Sequence, residues 1–124
     1  MTRLRTYVIA SVIFVVVAIS TPSAFAVSTC DTMPNKAQSK NCWMEMIGNA
    51  TEIADDYNAA TLASRNVPDK VKQEVHTEFL SIEGNIHLQC KNTDYTCTIS
   101  IYEHFYGFAY HETTKYGVPD KRLN

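Results

Sequence analysis

The chain has 124 residues, with 11 Lys+Arg against 13 Asp+Glu. That length excludes two domains of ordinary size, and the slight acidic excess excludes the clustered Lys and Arg that grip nucleic-acid phosphates. What remains is one small domain suited by charge to a protein partner, and to a cationic one by sign.

Residues 1–26 read as a secretory signal peptide. Arg3 and Arg5 supply a positive start, residues 7–19 are an apolar run, and Ala24-Phe25-Ala26 puts small residues where signal peptidase reads. The run falls short of the roughly 20 apolar residues that a permanent membrane span needs. The expected product is a single domain of residues 27–124, exported to the periplasm or the medium. It keeps nine basic against thirteen acidic side chains once Arg3 and Arg5 are gone, a balance of −4.

Residues 27–40 are polar and contain Pro34 and Asn35, as an extended lead-in would. Trp43, Met46, Ile47, Ala50, Ala54, Tyr57 and Thr61 then recur at three- and four-residue steps, which predicts a helix over 41–64. Gly48 weakens that helix by about 1 kcal/mol relative to Ala without ending it. Pro68 breaks the pattern and suits the first turn of a second helix over 68–90, whose stripe is Val71, Val75, Phe79, Ile82 and Ile86. Residues 97–112 fit two patterns. Ile101, Phe105, Phe108 and Glu112 suit a helix, whereas residues 98–102 alternate like a strand. A third helix is preferred, because a lone strand would have nothing to pair with. Residues 118–124, after Gly117, are expected to form a frayed tail. The fold class expected is all-α: an antiparallel helical hairpin plus a third helix, stapled by two disulfides.

Cys30, Cys42, Cys90 and Cys97 all follow the signal, and an even count in a small exported domain reads as two bridges. Their spacing lacks the close pairs typical of a zinc site. In an antiparallel hairpin, residues that face each other share a constant index sum. Cys42 and Cys90 centre on Asn66, and Cys30 and Cys97 centre almost there. A nested pairing, Cys42–Cys90 inside Cys30–Cys97, is therefore expected. The sequential pairing, Cys30–Cys42 with Cys90–Cys97, is the alternative.

No nucleophile elbow, H-E-x-x-H, P-loop or glycine-rich dinucleotide turn occurs, so no catalytic, cofactor or metal residue is assigned and no enzyme activity is expected. His104 and His111 share a helical face near Glu103 and Glu112, a set that reads as a solvated face before it reads as a metal site. His76 and His87 are expected at the surface. Asn49-Ala50-Thr51 matches the glycosylation sequon but falls inside a helix. Glu52, Asp55 and Asp56 form the wet side of the first helix. The rings of Tyr102, Phe105, Tyr106, Phe108 and Tyr110 are too many for a small core, so some tyrosines should reach the surface, where Tyr favours protein contacts.

An exported helical chain with Cys30, eleven residues, Cys42, fifteen residues and Asn58 in the stretch Ala54-Asp55-Asp56-Tyr57-Asn58 resembles the lysozyme inhibitor LprI-like family. A proline turn, a helix closing on Cys90, and Cys97 opening a last helix continue the likeness over residues 30–112. The chain departs from the family at Tyr57, where Leu is usual. It departs again at Ile82, Ile86 and His87, where a tryptophan and an Arg-Asp pair are usual, and at Glu103 and His104, where an arginine is usual. The resemblance implies an exported binding protein that inhibits a lysozyme-type glycosidase, without fixing any inhibitory residue.

The function expected is therefore protein binding by occlusion. Glu52, Asp55, Asp56, Tyr57, Tyr106 and Tyr110 are the candidate contacts and a cationic lysozyme the candidate partner. An immunity-type protein that neutralises a toxin, and a structural or homodimeric protein, are the alternatives. Neither nucleic acid nor a permanent membrane span is expected.

Overall fold

A computed structural model describes residues 30–92 and 94–123, so the signal-peptide assignment lies outside the described residues. Three helices follow one another: α1 (Lys36–Ala63), α2 (Asp69–Gln89) and α3 (Tyr95–Thr113), then the short 3-10 turns Thr114–Tyr116 and Lys121–Leu123. No strand occurs among the described residues, and the 97–112 segment is helical, as preferred. No helix among them is long and apolar enough to cross a membrane.

The helix starts follow from side-chain caps. The Asn35 carboxamide accepts the Gln38 N–H at 2.9 Å, so α1 begins at Lys36, five residues before the expected start at 41. Asp94 does the same for α3, accepting the Cys97 N–H at 2.9 Å. At α2, Pro68 offers no side-chain cap, and Asp69 stands in the first turn near the positive end of the helix dipole. Both connections, 64–68 and 90–94, are short, which forces neighbouring helices to run antiparallel. α1 and α3 are then parallel. Trp43 stacks on Tyr95 near their starts, at 6.0 Å between ring centres, and Ala50 meets Tyr106 further along.

The core is where the three stripes meet. Ala50, Ala54 and Tyr57 of α1, Val75 and Ile82 of α2, and Tyr102, Phe105, Tyr106 and Ala109 of α3 are buried together. Ala54 and Ala109 are fully buried, and their small side chains leave room for the rings of α3 between them. Phe79 meets Phe105 at 5.8 Å in a tilted arrangement. A smaller cluster of Cys30, Trp43 and Ile99 closes the other end of the bundle.

Two expectations are corrected. The bridges are sequential, Cys30–Cys42 and Cys90–Cys97, with Cα–Cα distances of 5.5 and 5.6 Å, and not nested. The index sum places Cys42 and Cys90 at the same end of the bundle, but it ignores two reversals of the chain. The residues before α1 double back onto its first turns, bringing Cys30 to Cys42. α3 starts so soon after α2 that Cys97 lies beside Cys90, the residue that ends α2. Each bridge therefore staples a local reversal.

The second correction concerns the tail, which is docked rather than frayed. Gly117 takes φ +84, a left-handed turn that an L side chain resists, and this aims Val118 into the core. The tail then lies against α1, where the Tyr57 hydroxyl donates to Asp120 Oδ1 at 2.6 Å and accepts the Lys121 N–H at 2.9 Å.

Candidate functional site

Charge is sorted along the bundle. Lys36, Lys40 and Lys91 lie at one end, and Arg65, Lys70, Lys72 and Lys115 at the other. Between them α1 carries Glu45, Glu52, Asp55 and Asp56, α2 carries Glu74, Glu78 and Glu83, and α3 carries Glu103, with no Lys or Arg on these stretches. Glu52, Asp55, Asp56 and Glu83 are exposed and form no ion pair among the described residues. Among the described residues, the docked tail brings the only Lys and Arg side chains to this waist. Arg122 is held by Asp120, through Nη2–Oδ2 at 2.6 Å and Nε–Oδ1 at 2.8 Å, and its guanidinium lies 4.4 Å from the centre of the Tyr110 ring. Lys121 borders the flank of α1 that carries Glu52 and Asp56.

On the opposite flank of α1, a groove of about 230 Å³ runs between α1 and α2. Ala54 and Ile82 give it an apolar floor, Tyr102 of α3 stands at its base, and Asp55 and Glu83 stand on its rim. The Tyr102 hydroxyl is hydrogen-bonded to Thr51 Oγ1 at 3.1 Å, and Thr51 donates to the Ile47 carbonyl at 2.8 Å, so the base is fixed. Two exposed carboxylates over an apolar floor suit a side chain with an apolar stem and a cationic head, which is the build of Lys and Arg.

Of the six sequence-derived contact candidates, Glu52, Asp55 and Asp56 are exposed on α1 as expected. Tyr57 and Tyr106 are corrected, since both are buried and cannot touch a partner. Tyr57 anchors the tail. Tyr106 spans α3 to α1, its hydroxyl donating to the Ala50 carbonyl. Burial pushes the Tyr57 phenol up to about 12, with the Asp120 bond adding to the effect, and burial raises Tyr106 as well. The Arg122 contact holds Asp120 well below the usual carboxylate range, and Asp120 in turn raises Arg122. Tyr110 is half-buried under Arg122. Of the rings expected to overflow the core, Tyr102, Phe105 and Tyr106 are absorbed by it, because alanines on both facing helices leave space, while Phe108 and Tyr110 stay partly exposed.

Sequence reasoning missed Glu83 and Leu80 on the groove rim. Leu80 lies outside the Val71–Ile86 stripe, and an apolar residue on the wet side of an amphipathic helix was the available signal. A second groove of about 460 Å³ lies between α2 and α3, edged by polar side chains including Asn85, Gln89 and Ser100. Its Asn85 donates to Ser81 at 3.3 Å, a pairing already satisfied within α2. His76 is not a plain surface residue: its Nδ1 is 3.1 Å from Asn58 Oδ1, and its ring stacks on Phe79. His111 pairs with the adjacent Glu112 at 3.2 Å, and no group of three potential metal ligands converges among the described residues.

The chain matches no protein-family model, no curated protein and no solved structure.

Proposed function

We propose that the protein is an exported binding protein that inhibits a cationic lysozyme-type glycosidase by occluding it, with the α1 face and the α1–α2 groove as the docking surface. The observation that carries this reading is the sorting of charge: an acidic waist, broken on one side by an apolar groove whose rim is Asp55 and Glu83. Two disulfides in so small a chain fit folding in an oxidising compartment, consistent with the signal-like start and with the periplasm or the medium as the site of action.

The division of labour follows from magnitudes. Exposed carboxylates give only about 0.2–1 kcal/mol per ion pair, so Glu52 and Asp56 would steer the encounter more than hold the complex. Affinity would come from an anchor side chain desolvated in the groove, where its stem covers Ala54 and Ile82 and its cation meets Asp55 and Glu83. α1, with 28 residues, is about 42 Å long, enough to lie along the cleft of a small enzyme and bury a standard interface. Inhibition then needs no covalent step.

The test is an inhibition assay of the oxidised protein against a panel of lysozymes at low and physiological salt. The proposal predicts stoichiometric inhibition that weakens as salt rises, because exposed charges are screened beyond about 10 Å at 0.1 M. Failure to bind any of them would refute the proposal. Binding that ignores salt would remove the acidic waist from it.

A further inference from the structure

The two disulfides differ in what surrounds them. Cys30 is fully buried in a cluster with Trp43 and Ile99, and its Sγ lies 3.5 Å from Met46 Sδ. Its partner Cys42 is partly exposed. A thiolate that attacks Cys42 must expel Cys30 as an anion into this apolar cluster, where burial raises a thiol's pKa and makes it a poor leaving group. Attack at Cys30 itself is closed by its burial. In the other bridge both residues are partly exposed, and each opens on a groove. Cys97 lines the groove of about 460 Å³ between α2 and α3. Cys90 lines a smaller one of about 280 Å³, with His87, Lys91 and Glu83.

The same bridge tethers a helix end. Val75 and Ile82 are the buried residues of α2, and Ile86 is the last that packs on the core. His87, Leu88 and Gln89 are exposed, and among the described residues their side chains form no hydrogen bond or ion pair. The start of α3 is held differently. Tyr95 stacks on Trp43 of α1, and Ile99 sits in the Trp43 cluster. The bridge therefore ties the last turn of α2 to a partner that α1 keeps in place.

We propose that Cys90–Cys97 is a thiol-exchange site, reduced by a dithiol while Cys30–Cys42 stays closed, and that its opening releases the last turn of α2. One thiolate of the dithiol attacks Cys97 Sγ from the larger groove. The bond between Cys97 and Cys90 breaks, Cys90 leaves as a thiolate and takes a proton from water. The second thiolate of the dithiol then attacks the mixed disulfide, closes the dithiol's own bridge and releases Cys97 as a thiolate. Two electrons pass to the protein, and the dithiol is oxidised. Cys90 is the better leaving group because Lys91 is the adjacent residue, and positive charge favours a thiolate, whereas Glu83 lies two turns back along α2. The inference does not rest on the lysozyme reading, since the α2 residues of that docking groove end at Glu83, before the turn that is released.

Graded reduction of the oxidised protein with dithiothreitol, followed by alkylation and peptide mapping, tests this. Cys90 and Cys97 should be alkylated together, at least about tenfold faster than Cys30 and Cys42. Hydrogen exchange on the singly reduced protein should quicken at residues 87–92, while α1 and residues 99–113 keep their protection. Lys91→Glu, at an exposed position, should slow reduction of Cys90–Cys97 several-fold and leave that of Cys30–Cys42 as it is. Equal rates for the two bridges, or earlier loss of Cys30–Cys42, would overturn the exchange site. Reduction that unfolds all three helices, or that leaves 87–92 as protected as before, would overturn the released turn. A Lys91→Glu variant reduced at the wild-type rate would overturn the leaving role of Cys90.

Discussion

Tyr57→Phe removes one oxygen from a fully buried ring and leaves the packing of the ring in place. That oxygen donates to Asp120 at 2.6 Å and accepts the Lys121 N–H at 2.9 Å, so it is the clasp between the tail and α1. Asp120 would keep its three contacts with Arg122, at 3.0, 2.8 and 2.6 Å, so the carboxylate is not orphaned. The loss should be near that of one charge-assisted hydrogen bond, about 2 kcal/mol, or a fall in Tm of roughly 10 °C in a domain this small. The pH dependence gives a second handle. In the folded state the Tyr57 phenol is raised to about 12, chiefly by burial, against about 10 when unfolded. A group raised in this way contributes stability in full below pH 10 and loses it as pH rises through 12. The contribution lost is about 3 kcal/mol. The Phe variant has no such loss. Urea midpoints at matched m-value should therefore show the wild type ahead at pH 7, with the gap closing between pH 10 and 12. Equal midpoints at pH 7, or a gap that stays constant up to pH 12, would refute the clasp.

Non-reducing peptide mapping should yield Cys30–Cys42 and Cys90–Cys97 peptides, and a Cys42–Cys90 peptide would contradict the fold at the cysteine end of the bundle. The bridges span 12 and 7 residues, so replacing either pair with serine should cost about 2–3 kcal/mol in chain entropy, read as a lower urea midpoint. Thr61 is fully buried, and its Oγ1 has no hydrogen-bond partner among the described residues, so Thr61→Val should stabilise the fold by roughly 1 kcal/mol; a lower Tm would reveal a partner for that hydroxyl. Gly117→Ala should cost about 1–2 kcal/mol, because an L side chain is forced to φ +84, and an unchanged midpoint would mean that the tail docks without that turn.

The α2 stripe was legible in the sequence because one face is apolar and the other is mostly polar. Val71, Val75, Phe79, Ile82 and Ile86 all pack on the core or lie within it. α3 was legible as a helix but not in its phase. Its sequence stripe ran through Ile101, Phe105 and Phe108, whereas the buried face is Ile99, Tyr102, Phe105, Tyr106 and Ala109. A helix with rings on most of its surface carries no periodic contrast, so the neighbours choose the face, and here Ala50 and Ala54 opposite Tyr106 and Tyr102 make the choice. The disulfide pairing was hidden for a related reason. All four cysteines gather at one end, and which pairs form depends on reversals at 30–35 and 90–94 that index arithmetic does not contain. The tail was misread because Tyr57, Asp120 and Arg122 look like ordinary polar residues, and only the fold brings positions more than sixty residues apart into one clasp. At the candidate site the acidic residues of α1 were legible as a wet helix face. The groove beside them needed Glu83 and Leu80, which α2 places there.

The most direct test of the proposed docking is titration calorimetry against whichever lysozyme the inhibition panel identifies, using two charge reversals of equal size. Asp55→Lys places a cation on the groove rim, and Glu103→Lys places the same cation on the exposed side of α3. Docking in the groove predicts that Asp55→Lys weakens binding by at least about tenfold, or ~1.4 kcal/mol, while Glu103→Lys changes it little. Equal losses from both would mean that net charge alone does the binding. No loss from Asp55→Lys would contradict the groove as the docking site.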